Sequence, residues 1–115
     1  MLNNKPMNGF HALSDENRRK ILELLAQEGR LSASAIGQHF QISPPAISQH
    51  LKVLREAHLV LVEPVAQKRF YSLDLSGLSE IERWALAMKH QWNQRLDRLE
   101  SYINQLNSQE NHDPA

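Results

Sequence analysis

The sequence predicts a mainly α-helical fold with one β-hairpin and a long final helix. Three observations predict it. Ile47, Leu51 and Leu54 recur at helical spacing behind a Ser43-Pro44 start. Leu59 to Val65 and Phe70 to Leu73 favour strands and flank a polar tip, Ala66-Gln67-Lys68. From about Ser79 to Leu106 there is neither Gly nor Pro, and apolar residues recur in a nearly heptad stripe.

Each element has its own local reason. Residues 1–8 are polar, contain Pro6, and are expected to be a flexible N-terminus. Phe10, Ala12 and Leu13 form a short apolar piece. Ser14 or Asp15 can cap the next helix, which carries Ile21, Leu22, Leu24 and Leu25 and ends at Gly29. Ser32 opens a small helix with Ala33, Ile36 and Phe40 as its inner face. A tight turn, Gln41-Ile42-Ser43, leads to a helix over Ser43–Ala57. Two such helices joined by about three residues make a helix-turn-helix. The hairpin that follows is its wing, and Pro64 marks an edge strand.

The Ser43–Ala57 helix has a second face. Ser43, Pro45, Ser48, Gln49, His50, Lys52 and Arg55 lie on it or beside it. A narrow helix with small polar side chains can enter a major groove and offer donors and acceptors to base edges. At the wing, Gln67, Lys68 and Arg69 can reach phosphates or a minor groove. Residues 9–75 thus read as a DNA-binding core.

The final helix, residues 76–106, carries Ile81, Ala85, Met88, Trp92, Leu96, Leu99, Ile103 and Leu106. Its 28-residue clear stretch from 79 to 106 would be roughly 42 Å long, too long for so small a domain to cover. A second copy of the chain is the simplest partner. A homodimer is therefore expected through the first and last helices, with Phe10, Leu13, Met88, Trp92, Leu96, Leu99 and Ile103 at the interface. Residues 107–115 are polar and expected to be a disordered tail.

Composition narrows the function classes. The 115 residues contain no cysteine, which removes disulfides and thiolate metal sites. No run of 18 apolar residues occurs and no signal-peptide pattern opens the chain, so a cytoplasmic protein without membrane contact is expected. Net charge is zero but polarised. Residues 30–72 hold Arg30, Lys52, Arg55, Lys68 and Arg69 against Glu56 and Glu63, net +3. Residues 73–115 hold four basic and seven acidic side chains, net −3. No catalytic constellation, Gly-rich phosphate loop or cofactor motif is present, so no enzyme and no cofactor are expected.

Three blocks carry a family resemblance: Phe10-His11-Ala12-Leu13-Ser14-Asp15-Glu16-Asn17-Arg18-Arg19-Lys20-Ile21-Leu22, the run Ile47 to Val60, and Arg69-Phe70-Tyr71-Ser72-Leu73. Together they resemble the ArsR/SmtB family of bacterial winged-helix repressors. The segment Trp92-Asn93-Gln94-Arg95-Leu96-Asp97-Arg98-Leu99-Glu100-Ser101-Tyr102 is similar to the metal-independent branch. The resemblance implies a homodimeric repressor of a pseudo-palindromic operator, with its own promoter as one candidate target.

Departures from the family pattern are specific. Metal sensors of the family often carry Cys-x-Cys before the turn. Here Leu31 to Ile36 reads Leu-Ser-Ala-Ser-Ala-Ile. Others place His and carboxylate ligands along the last helix, which here holds His90 alone and no Asp-x-His pair. No metal is expected. His58 stands where the family commonly has a Gly cap, so the helix is expected to end differently. Two other readings stay open: a sensor with a small apolar inducer near the tryptophans, its identity unknown, and a winged-helix protein-interaction module without DNA binding.

Overall fold

A computed structural model describes residues 9–110. In chain order it holds α1 (Gly9–Leu13), α2 (Glu16–Glu28), β1 (Leu31–Ser32), α3 (Ala33–Gly37), α4 (Pro44–Glu56), β2 (Val60–Val65), β3 (Lys68–Leu73) and α5 (Leu75–Glu110). The expectations for residues 1–8 and 111–115 lie outside the described residues. The chain divides into two compact units after Ile81.

The first unit is the winged helix-turn-helix. Asp15, not Ser14, caps α2: its carboxylate accepts from the Arg18 N–H at 3.1 Å. The Ser14 hydroxyl instead donates to the His11 carbonyl. Gly29 closes α2 at φ 81°, with its N–H on the Leu25 carbonyl at 2.8 Å. Ser32 caps α3 through the Ala35 N–H. Helix α3 stops at Gly37, so Phe40 packs on the core from the connection and not from the helix. That connection runs over residues 38–43, longer than the three-residue turn the sequence suggested. Ser43 caps α4 through the Ala46 N–H at 3.2 Å.

Helix α4 ends as if it had a glycine. His58 takes φ 59°, in the left-handed region. Its N–H bonds the Arg55 carbonyl at 3.0 Å, and the Leu59 N–H bonds the Leu54 carbonyl at 2.9 Å. These two bonds make a Schellman cap, closed with His at the position glycine favours. The helix does not end differently, as the sequence had suggested. The paired bonds outweigh the left-handed penalty of about 1–2 kcal/mol.

The sheet has three strands, not two. Its order is β1-β3-β2, all antiparallel, with Leu31 opposite Tyr71 and Ser32 opposite Phe70. Two residues are too few to show a period-two pattern, so β1 left no trace in the sequence. The wing turn is Ala66-Gln67, since Val65 pairs with Lys68. Ala66 has φ 56°, the sign pattern of a type II′ turn.

Ile21, Leu25, Ile36, Leu51, Leu54, Leu59 and Val60 are fully buried and tie α2, α3, α4 and the sheet into one core. Leu78 and Ile81, from the start of α5, pack against it. Asp74 opens α5: its Oδ1 accepts from the Ser76 N–H at 3.0 Å and from the Ser76 hydroxyl at 2.8 Å. These bonds, with His58 nearby, hold its carboxyl below the usual aspartate range despite some desolvation.

The second unit is a single helix, residues 82–110, the larger part of α5. Helix α5 starts at Leu75, next to the expected residue 76, and runs four residues past the expected end at 106. Residues 107–110 are helical, not part of a disordered tail. Met88, Trp92, Leu96, Leu99 and Ile103 are all exposed on this unit, Trp92 at 58%. Among the described residues no helix is long and apolar enough to cross a membrane.

Candidate nucleic-acid interface

Helix α4 sorts its side chains as the pattern predicts. Ile47, Leu51 and Leu54 are buried, while Pro45, Ser48, Gln49, Lys52 and Arg55 are exposed. Spaced three, one, three and three apart, the exposed five share one face. Ser43 is exposed too, but its hydroxyl oxygen is already engaged as the cap.

The sheet brings a second element to that face. Ser48, Lys52 and Arg55 of α4 line a cleft of about 560 Å³ together with Gln67, Lys68 and Arg69 of the wing. Four cations therefore face one groove. Lys52, Arg55, Lys68 and Arg69 form no ion pair within 4.0 Å with any described residue. Cations gathered in a groove raise the local concentration of polyanions and neutralise phosphates on contact.

Sequence reasoning missed Ser32, Ser34 and Tyr71, which also line this cleft. The missing signal was β1, which pins the start of α3 beside β3. Arg30, counted among the positive residues, is engaged elsewhere. Its guanidinium lies 4.5 Å from the centre of the Phe70 ring and 3.6 Å from Glu63.

His50 departs from the expected site. Its side chain is only 17% exposed and turns toward α2. Its Nδ1 lies 3.3 Å from Arg18 Nη1 and 3.9 Å from Asp15 Oδ2. Arg18 also donates from Nε to the Ala12 carbonyl at 2.8 Å and from Nη2 to the His11 carbonyl at 3.2 Å. Burial works against the Asp15 charge. The Arg18 N–H bond and the positive character of His50 and Arg18 outweigh it and hold the carboxyl below its ordinary range. His50 thus ties α4 to the α1–α2 corner. Phe10 and Leu13 lie on α1, the first exposed and the second half-buried.

The described residues bring no three His, Asp or Glu side chains together in a way that could hold a metal ion.

Comparison with known proteins identifies this arrangement. Residues 15–61 match the model of the bacterial regulatory protein, arsR family. The chain is 42% identical over 79 residues to the transcriptional repressor SdpR of Bacillus subtilis, covering 69% of this chain and 87% of that one. It is also 42% identical over 76 residues to the HTH-type transcriptional regulator Rv2034 of Mycobacterium tuberculosis, covering 66% and 70%. Among solved structures, an ArsR-like transcriptional regulator from Rhodococcus sp. RHA1 superposes with a TM-score of 0.70 at 30% identity, over 81% of this chain and 87% of that one. The chain belongs to the ArsR family of bacterial regulatory proteins: it is a DNA-binding transcriptional repressor of winged helix-turn-helix type, and not an enzyme.

Proposed function

We propose that the repressor works as a homodimer on a pseudo-palindromic operator, each subunit placing α4 in a major groove. Ser48 and Gln49, with Pro45 beside them, face base edges. Lys52, Arg55, Gln67, Lys68 and Arg69 hold the flanking phosphates. The observation that carries this reading is the cleft in which α4 and the wing present four cations that pair with no acidic group among the described residues. His50 serves as a strut for α4, and Ser43 as its cap. Two-fold symmetry selects half-sites about 10 bp, or a multiple of that, apart.

The dimer forms through α1 and α5. The exposed apolar residues Met88, Trp92, Leu96, Leu99 and Ile103 support it, with Phe10 and Leu13 contributed by α1. Burying a large apolar side chain contributes about 1.5–3 kcal/mol, so several per subunit offset the entropy lost on association. Repression follows from occupying a promoter, the protein's own included, in the cytoplasm. An inducer site built on thiolates is excluded in this chain, which has no cysteine.

Selection from randomised duplexes followed by footprinting tests the reading. The expected result is two protected half-sites on one face of the duplex, lost when Lys52→Ala and Arg55→Ala are combined. An unchanged footprint in that double variant would place the interface elsewhere.

A further inference from the structure

A second cleft, of about 520 Å³, lies between α3 and the first turn of α4. Ala33, Ile42, Pro44 and Ile47 supply its carbon surface, and Ser34 and Ser48 supply hydroxyls. It is continuous with the cationic cleft, because Ala33, Ser34 and Ser48 line both. It therefore belongs to the face that meets DNA, yet it has no cation to offer.

The start of α4 also lacks what a phosphate needs. A helix N-terminus ordinarily presents up to four N–H groups without intrahelical partners, which makes it an anion site. Here Pro44 and Pro45 have no N–H at all. The Ala46 N–H is on the Ser43 hydroxyl at 3.2 Å, and the Ile47 N–H is on the Ser43 carbonyl at 3.0 Å. Two of these donors are therefore absent and a third, on Ala46, is satisfied. What remains is an apolar proline surface, one helical turn before Ser48. In the major groove the apolar group on a base edge is the 5-methyl of thymine.

We infer that the Ile42–Pro44–Ile47 cleft receives the 5-methyl group of one thymine per half-site, which makes Pro44 a specificity-determining residue. The inference rests on the DNA-binding reading above. Ser48, at the wall shared by the two clefts, then stands beside the polar edge of the same base pair. Proline fits this position because it starts the helix behind the Ser43 cap without a donor that would prefer a phosphate.

The test is a thymine-to-deoxyuridine scan of a selected operator, which removes one methyl at a time. At one position per half-site, wild-type affinity should fall about fourfold, the effect of one buried carbon group. Other positions should stay flat. In Pro44→Ser, and separately in Ile42→Ala, the thymine-to-deoxyuridine ratio at that position should approach one, with the melting temperature checked in each. A flat wild-type scan, or a ratio unchanged in both variants, would overturn the methyl site and leave the DNA reading standing. A selected operator with no fixed thymine would do the same. Failure to select any duplex would take down both.

Discussion

Arg18 and His50 meet with Nη1 and Nδ1 3.3 Å apart, joining the start of α2 to α4. A guanidinium only donates, so wherever the His50 ring is neutral this contact makes Nδ1 the acceptor. The same Arg18 holds the Ala12 and His11 carbonyls at the end of α1. One side chain thus fixes α1, α2 and α4 in register.

Arg18→Met should therefore destabilise the fold by about 1.5–3 kcal/mol, since it leaves three acceptors without their charged donor. Urea unfolding measures this. An effect under half a kilocalorie would show the corner to be held by apolar packing alone.

Asp15 gives a pH dependence with a defined sign. Its carboxyl is held below its ordinary value in the folded protein. Its contribution is then fully present above an unfolded pKa of about 4 and is lost as pH falls through the lower folded value. Asp15→Asn should flatten the acid limb of stability against pH in that window. An identical acid limb in the variant would remove Asp15 from the linkage.

Gly77 and His58 form a second close contact. The Gly77 N–H donates to the His58 carbonyl at 2.9 Å, and a Cβ on Gly77 would stand 2.9 Å from the Ala57 carbonyl and closer still to that of His58. Gly77→Ala should destabilise by about 1–3 kcal/mol through this overlap. His58→Gly should stabilise by roughly 0.5–1 kcal/mol, because the left-handed penalty exceeds the extra chain entropy of glycine. Thermal melts of the two variants should move in opposite directions, and movement in the same direction would contradict the cap assignment.

The fold was legible where local chemistry repeats. The Ser43 cap, the Ile47–Leu51–Leu54 face and the Gly29 stop all lie within one helical turn of their own signals. The sheet edge was not legible, because β1 exists only through its pairing with Tyr71 and Phe70. That omission hid Ser32, Ser34 and Tyr71 from the cleft. His50 was placed with the DNA-facing residues because its partners, Asp15 and Arg18, lie more than thirty positions earlier in the chain. The polar composition of residues 107–110 suggested disorder, yet a helix already under way continues through polar residues at little cost, since propagation is easier than nucleation.

The wing should act without reading sequence. Lys68→Ala combined with Arg69→Ala should weaken specific and non-specific DNA about equally. The slope of log K against log salt should become shallower by about one unit per lost phosphate contact. An unaltered slope would mean that the wing tip stays in solvent.

The apolar residues of the last helix should make the chain sediment near twice its 13.2 kDa mass at micromolar concentration. Trp92→Ala combined with Leu99→Ala should shift it toward monomer and weaken operator binding. A stable wild-type monomer that binds tightly would contradict both the dimer and the palindrome.

The most direct measurement is the base preference of Gln49→Ala against wild type, obtained by selection from randomised duplexes and followed by affinity on the chosen site. Gln49 is exposed on the α4 face, so its loss should leave folding intact. Operator affinity should fall by about 1–3 kcal/mol, and preference should relax at one base pair per half-site. An unchanged preference at every position, with unchanged affinity, would contradict the placement of this face of α4 against base edges.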